Sequence, residues 1–140
     1  MLLFGYGTFR KTAWRCAILG AEYPCEPATL AGWRRVAVAS GYLSLRETVV
    51  ALAPVPGVLL ELDDVGRRIA DAWEEVPAYT LVDVVVNTMR GPVAALTYVC
   101  NDEHDAIPVD DDRFALLPDA DVEASIALFA PTMRWFRSTV

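Results

Sequence analysis

The fold is decided by the stretch YTLVDVVVNTMRGPVAALTYVC, residues 79–100, in which the apolar runs Tyr79–Val86 and Pro92–Cys100 flank a short turn. Because the turn contains Arg90-Gly91, the two runs are predicted to pair as an antiparallel hairpin. Leu81–Val86 is apolar at nearly every position, so we expect both faces of this strand to be covered. The sequence therefore predicts an α+β fold, a small mixed β-barrel of about five to six strands with flanking helices. A doubly wound α/β sheet is the weaker alternative, since the hairpin needs antiparallel pairing.

Apolar spacing and the positions of proline and glycine predict the other elements of a single domain, 1–140. Strands are predicted at Met1–Tyr6, Leu30–Ala39 and Gly57–Leu62, and loops at Glu22–Thr29, which contains Pro24 and Pro27, and at Asn101–Arg113. A first helix is predicted at Lys11–Ala21. A second is predicted from Asp63-Asp64 to Glu75, with one apolar face formed by Val65, Ile69, Ala72 and Trp73. A third is predicted near the carboxyl end, with an apolar stripe formed by Val122, Ile126, Phe129, Met133 and Phe136. Pro131 is expected to bend the last helix.

Composition limits the partners and the compartment. The chain has 140 residues, of which 54% are hydrophobic and 22% charged, and this excludes disorder for most of it. The formal net charge of −7 disfavours nucleic acid and anionic membranes as partners. The cysteines Cys16, Cys25 and Cys100 form no disulfide framework and are expected to be buried thiols. With no signal peptide and no apolar run of about 20 residues, the sequence predicts a cytoplasmic protein.

Several kinds of site receive little support from the residues present. The single histidine, His104, lies in an acidic run, Asp102–Asp105, which is more typical of a solvated loop than of a metal site. A nucleophilic Ser–His or Cys–His pair would also need His104. Gly5-Tyr6-Gly7 lacks the third glycine of a dinucleotide fingerprint. Arg67-Arg68 and Glu74-Glu75 on one helix suggest a Nudix-type hydrolase, but the offsets of that signature are not met.

The first candidate site is the segment after the first strand, Phe4-Gly5-Tyr6-Gly7-Thr8-Phe9-Arg10. Glycine lets the backbone approach a ligand closely. Amides that run from a strand end towards a helix form a cradle for an anion or a carbonyl oxygen. The alternative is an ordinary strand-to-helix turn in which Thr8 is the N-cap of the helix.

The second candidate is Glu74, near the carboxyl end of a predicted helix and five residues before Tyr79. The negative end of the helix disfavours a carboxylate, and partial burial by Trp73 and Tyr79 is expected to raise the pKa of Glu74 further. A glutamate with a raised pKa serves as a general acid and base near neutral pH. Glu74 and Glu75 point about 100° apart on a helix, so they do not flank one bond. The alternative is an exposed glutamate on a solvated face.

Taken in this order, the candidate segments resemble the gamma-glutamylcyclotransferase-like family. The matching motifs are Tyr6-Gly7-Thr8-Phe9, Leu30-Ala31-Gly32-Trp33-Arg34, Val55-Pro56-Gly57-Val58-Leu59-Leu60, and Asp71-Ala72-Trp73-Glu74 followed by Tyr79. The resemblance covers about Met1–Cys100. Glu75 stands where the family often has glycine, and Thr80-Leu81 replaces an arginine-rich pair that often follows the tyrosine. These departures bear on the choice of substrate more than on the fold.

The resemblance implies a barrel with a cavity beside the first loop and an enzyme that needs no metal or cofactor. Such an enzyme releases 5-oxoproline and an amine or amino acid from a γ-glutamyl compound. Glu74 would be the general acid and base, and the substrate would be bound by Tyr6, Gly7, Thr8 and Phe9. The leaving group stays open: glutathione, a γ-glutamyl amine and an acyl-carrier conjugate all fit. The alternative function is a non-catalytic small-molecule-binding or scaffold protein with the same fold.

The carboxyl end of the last predicted helix is a candidate face for a homodimer. It ends in Trp135-Phe136, which are large apolar residues near the chain end. Large apolar side chains left exposed on a surface are typical of an interaction face. The residues therefore indicate a second copy of the chain as a partner, in addition to the small-molecule γ-glutamyl substrate that the resemblance implies.

Overall fold

The computed structural model describes residues 1–38, 42–74, 76–101, 107–109 and 118–138, with the backbone alone at Phe136. The predictions on Glu75, on His104 and on most of the loop 101–113 therefore lie outside the described residues. The strands are β1 Leu2–Gly5, β2 Cys25–Leu30, β3 Trp33–Ala37, β4 Leu43–Glu47, β5 Val55–Glu61, β6 Tyr79–Thr88, β7 Gly91–Cys100 and β8 Ile107–Pro108. The helices are α1 Thr12–Leu19, α2 Asp64–Trp73 and α3 Asp119–Ser138, and a short 3-10 turn spans Thr8–Arg10.

Five strands close into a barrel in the order β1-β5-β2-β6-β7. Neighbouring strands of the barrel pair antiparallel, except for β1 and β7, which run parallel and pair at Leu3 and Leu96. The other three strands form a separate sheet in the order β4-β3-β8. The structure confirms the predicted small mixed barrel with flanking helices and adds this second sheet.

The β6–β7 hairpin is confirmed, with paired residues from Tyr79 and Cys100 at one end to Thr88 and Gly91 at the turn. Gly91 has a φ of 101°, a left-handed conformation that favours glycine in a tight turn. The expectation that both faces of β6 are covered is wrong at Val85, which is 61% exposed. An antiparallel sheet can leave one face to water, and here the helices lie elsewhere on the barrel.

Two further expectations are corrected by the sheet pairing and the exposure. Glu22–Thr29 is not a loop throughout, because Cys25–Leu30 forms β2 and pairs with β5 along its whole length. Pro27 is exposed, and its missing N–H is tolerated because, among the described residues, β2 pairs with β6 at Thr29 and not at Pro27. Cys25 is exposed rather than buried, whereas Cys100 is buried as expected.

The core is divided between the two faces of the barrel wall. Successive residues of a strand point to opposite faces, so Leu3 and Leu60 enter one apolar cluster while Phe4 and Leu59 enter another. The first cluster lies under the three helices, and its buried helical members are Trp14, Ile18, Leu19, Ile69, Ala70, Val122 and Met133. The helices therefore cover only one part of the outer barrel surface.

Helix α2 begins as predicted, since the Asp63 carboxylate accepts a hydrogen bond from the Gly66 N–H at 2.7 Å and caps the helix. Its buried face agrees with the prediction only in part: Ile69 is buried as expected, but Val65 is 48% exposed, and Gly66 and Ala70 are buried as well. The helix ends at Trp73, ahead of Val76-Pro77. This early end places Glu74 directly at the helix terminus.

Helix α3 packs on α1 through part of the predicted apolar stripe, in which Phe129 is 40% exposed rather than buried. Val122 and Met133 are buried, and the Arg137 guanidinium donates hydrogen bonds to the carbonyls of Ala17 and Ile18 at the end of α1. Trp135 is 61% exposed, and the homodimer expected at this end of the helix stays a prediction. No helix among the described residues combines the length and the apolarity needed to cross a membrane. The cytoplasmic location also stays a prediction.

Candidate active site

A cavity of about 210 Å³ opens where β1 ends and the segment 6–10 begins. The segment contributes one wall through the predicted substrate-binding residues Tyr6, Gly7, Thr8 and Phe9. The end of α2 contributes Trp73 and the predicted catalytic residue, Glu74. The structure therefore brings together two segments that are far apart in the sequence, and their roles in binding and catalysis stay predictions.

The other walls come from four elements, and of the residues that they contribute only Tyr79 belongs to a motif found in the sequence. They consist mainly of aromatic side chains, with Tyr79 and Tyr98 from the hairpin, Tyr42 and Leu43 at the start of β4, Trp14 from α1, and Phe129 and Thr132 from α3. The rings of Trp14 and Phe129 contact each other, with centroids 6.2 Å apart at an angle of 49°. Apart from Glu74 and the backbone, the cavity surface is therefore apolar and aromatic, with tyrosine and threonine hydroxyls.

The first wall is a turn that has no side-chain cap at its start. Thr8–Arg10 forms a 3-10 turn closed by the Arg10 N–H, which donates to the Gly7 carbonyl at 3.0 Å. The first amides of a helical turn have no carbonyl partner inside the turn. Helix α1 begins only afterwards, with Lys11 at its N-cap, so the alternative of Thr8 as its N-cap is wrong.

Arg35 fixes this turn from behind and was not identified from the sequence. It lies on β3, is 3% exposed, and donates hydrogen bonds of 3.0 Å to the carbonyls of both Tyr6 and Pro56. The guanidinium thus joins the cavity segment to β5. The signal available in the sequence is an arginine within an apolar strand, since a buried arginine is rare unless its donors are used.

Glu74 occupies the C-cap of α2, and its N–H donates to the Ala70 carbonyl at 2.9 Å. Burial raises the pKa of Tyr6, and the nearby carboxylate of Glu74 raises it further. Burial is also the largest cause of the raised pKa of Tyr98. The hydrogen bond to Asp71 and the charge of Asp71 raise this pKa further, and the charge of Glu74 adds a smaller effect. The carboxylate of Glu74 is thus close enough to act electrostatically on the loop residue Tyr6.

Three tyrosine hydroxyls around the cavity are held by fixed acceptors. Tyr6 donates to the Tyr98 carbonyl at 2.6 Å, and Tyr98 donates to the Asp71 carboxylate at 2.6 Å. Tyr79 donates to the Leu43 carbonyl at 2.8 Å. Each ring is therefore oriented by a hydrogen bond as well as by packing, so the cavity is largely pre-formed.

The family described as Gamma-glutamyl cyclotransferase, AIG2-like, matches residues 3–115 of the chain. The chain belongs to this family. The match includes every predicted site residue and extends beyond Cys100, where the resemblance found in the sequence ends. It does not include α3. No curated protein matches the chain in sequence.

Solved structures share this cyclotransferase-like fold. A protein of Arabidopsis thaliana has a TM-score of 0.63 at 22% identity, over 96% of this chain and 82% of its own. A second protein of the same plant has a TM-score of 0.64 at 20% identity, over 95% and 90%. A structure named gamma-glutamyl cyclotransferase has a TM-score of 0.63 at 18% identity, over 78% and 71%. Identities this low show the fold alone.

Metal-binding side chains are not grouped in the part of the chain that the structure describes. Those residues contain no cluster of three or more histidine, cysteine, aspartate or glutamate side chains that could hold a metal ion. His104 lies outside them. The expectation that the family's reaction here needs no metal or cofactor stays a prediction.

The raised phenol pKa values predict a loss of stability at alkaline pH. Tyr6 and Tyr98 stay protonated in the folded chain above their ordinary pKa of about 10, where the unfolded chain loses these protons. The unfolded state then binds fewer protons, so the free energy of unfolding falls as the pH rises above about 10, and these groups have no such effect at lower pH. Urea unfolding at a series of pH values measures this. In the double variant Tyr6→Phe/Tyr98→Phe, the free energy of unfolding should fall less steeply with pH. An equally steep fall would show that these two tyrosines do not cause the loss of stability.

Proposed function

We propose that the chain is a γ-glutamyl cyclotransferase, an enzyme that releases 5-oxoproline and an amine or amino acid from a γ-glutamyl compound by intramolecular aminolysis. The observation that supports this is a single cavity lined by both Glu74 and the segment Tyr6–Phe9. Family membership is consistent with it. The rival function, a non-catalytic binding protein with the same fold, keeps the cavity and releases no product.

The reaction needs one proton carrier and a folded substrate. Glu74 as a carboxylate takes a proton from the α-ammonium group of the γ-glutamyl moiety. The freed amine attacks the γ-carbonyl carbon, a new C–N bond closes the five-membered ring, and the original amide C–N bond breaks. Protonated Glu74 gives this proton to the departing amine, and the second proton, which the ring nitrogen sheds once the C–N bond has formed, passes by the same carboxylate to the released amine, which leaves as an ammonium ion. Because amine and carbonyl belong to one molecule, a cavity that holds the substrate folded supplies a large effective concentration.

The turn at the first wall supplies the charge stabilisation. The amides of Thr8 and Phe9 are suited to hold the substrate's carboxylate or the oxyanion that develops on the γ-carbonyl. Arg35 fixes the preceding residue through the Tyr6 carbonyl, which limits movement of these amides. A pre-organised donor of this kind costs no rearrangement during the reaction.

The test of this function is the release of 5-oxoproline from a panel of γ-glutamyl compounds by the purified full chain. The panel includes glutathione, γ-glutamyl amino acids and γ-glutamyl amides. We expect 5-oxoproline and free amine to appear in equal amounts, without added metal or cofactor. Binding of panel members without any product would favour the non-catalytic alternative.

A side chain at Gly7 is expected to prevent ligand binding. Gly7 lines the cavity, so the branched side chain in Gly7→Val enters the space that the ligand needs. In a Glu74→Gln background, which keeps the ligand intact, calorimetry with γ-glutamylethylamide should show affinity lowered about tenfold or more by Gly7→Val. Ala31→Val, at an exposed residue away from the cavity, is the matched control. Unchanged affinity in Gly7→Val would mean that Gly7 is only a turn residue.

A further inference from the structure

The path from the cavity to solvent passes two partly exposed aromatic rings. Tyr42 and Phe129 both line the cavity, yet they are 55% and 40% exposed, so they lie at its mouth. Behind Phe129, Trp14 is 1% exposed and contacts it ring to ring. A group that occupies the mouth is therefore in contact with aromatic surfaces.

The substrate's leaving group is the part that occupies this mouth. The γ-glutamyl moiety must reach Glu74 and the amides of the segment Tyr6–Phe9 for the ring to close. The amine is attached to the reacting γ-carbonyl and extends away from the glutamyl carbon chain, towards the part of the cavity that the γ-glutamyl moiety leaves free. Its place before departure is thus between the reacting carbonyl and the opening, against Tyr42 and Phe129.

The charges around the cavity are unfavourable for a second carboxylate on the substrate. Among the described residues that line it, Glu74 is the one charged side chain, and neither lysine nor arginine is present. A carboxylate brought into an apolar mouth without a cationic partner keeps its desolvation cost. The formal net charge of −7 adds long-range repulsion. Glycine and phenylalanine as leaving groups both carry such a carboxylate, and simple amines do not.

We propose that the preferred substrate is a γ-glutamyl amide of an arylalkyl amine that lacks a carboxylate, and that Phe129 determines this specificity. The inference rests on the proposed cyclotransferase function and narrows its substrate class. The bond changes are those of the proposed reaction: the amide C–N bond breaks, the ring C–N bond forms, and both protons that the α-ammonium group loses pass through Glu74 to the arylalkyl amine, which leaves as an ammonium ion. No water or co-reactant is consumed.

Phe129 is a specificity residue supplied by a segment that the family match does not include. The match ends at residue 115, whereas Phe129 and Thr132 come from α3. The acid and the turn lie inside the matched segment. The residues that carry out the reaction therefore lie in the segment that matches the family, whereas the residue that selects the leaving group lies outside it.

Four substrates distinguish the effect of the leaving group's aromatic ring from the effect of its carboxylate. They are γ-glutamylphenethylamide, γ-glutamylphenylalanine, γ-glutamylethylamide and γ-glutamylglycine, which combine a ring or no ring with a carboxylate or none. We expect γ-glutamylphenethylamide to have the highest kcat/KM, with the ring and the absence of the carboxylate each contributing about tenfold. Equal values, or higher values for the two carboxylates, would overturn the inference and leave the proposed function standing. No 5-oxoproline from any of the four, nor from glutathione, would overturn both.

Variants of Phe129 test the assignment to this side chain. Phe129→Ala should lower the preference for phenethylamide over ethylamide at least about threefold, because the ring contact is lost. Phe129→Lys should shift the preference towards the substrates with a carboxylate, because it adds a cation at the mouth. The matched control is Leu128→Ala, whose side chain is 76% exposed and does not line the cavity, and its preferences should equal those of the unaltered chain. If both Phe129 variants keep the original preferences, Phe129 does not determine specificity.

Discussion

Replacing Glu74 by glutamine is expected to lower kcat for 5-oxoproline release by about 10²–10⁴-fold while the chain stays folded. The amide has nearly the shape of the carboxylate, but it cannot accept the ammonium proton or return it to the departing amine. The side chain lies at the cavity wall at the end of α2, so the substitution leaves the helix and the barrel core unchanged. The KM should change little, since the loss concerns proton transfer rather than ground-state binding.

Turnover of γ-glutamylethylamide by the two proteins, with circular dichroism as a check of folding, measures this effect. Glu123→Gln is the matched control, because Glu123 is an exposed glutamate on α3. It should keep the kcat of the unaltered chain. If Glu74→Gln turns over substrate at the unaltered rate, Glu74 is not the general acid and base.

Replacing Gly57 by alanine is expected to lower the free energy of unfolding by about 1–3 kcal/mol. A Cβ at this position would lie 2.5 Å from the Gly5 carbonyl oxygen and 2.5 Å from a ring carbon of Phe4. The backbone carbonyl cannot rotate away, so β1 and β5 must separate locally. Gly5 and Phe4 also line the cavity, and kcat/KM should therefore fall together with stability.

Urea unfolding of the purified variant measures the stability change, and the 5-oxoproline assay measures the change in activity. Ala94→Val is the control, because it adds carbon atoms at an exposed strand position. Its stability should stay within about 0.5 kcal/mol of the unaltered chain. A Gly57→Ala protein as stable as the unaltered chain would show that β1 and β5 have room for the added carbon.

The sequence predicts those parts of the fold whose pattern is local. The hairpin Tyr79–Cys100 and the cap at Asp63 follow from apolar runs and turn residues that are close together in the chain. The strand Cys25–Leu30 was missed because Pro24 and Pro27 are typical of loops, and only its pairing with β5 makes it a strand. Val85 was expected to be covered because it is apolar. Apolar character alone, however, does not show which part of the barrel the helices cover.

The site could be predicted as far as its motifs reach. The segment Tyr6–Phe9 and Glu74 were identified from short patterns, and the structure places them at one cavity. The residues that complete the cavity, among them Tyr98 and Phe129, carry no local signal. Their position depends on how β7 and α3 pack against α1 and α2, and such long-range packing is not encoded in residue spacing.

The separation between the acid and the α3 wall has a consequence for evolution and for engineering. Phe129 and Thr132 lie on α3, which is not part of the barrel sheet. Arg137 helps to attach the far end of this helix to α1. Substitutions at this helix can alter the entrance while the reacting groups stay in place. Libraries randomised at the cavity-lining positions Phe129 and Thr132, with the buried Val122 and Met133 kept, are therefore a direct route to a reshaped entrance on an unchanged barrel.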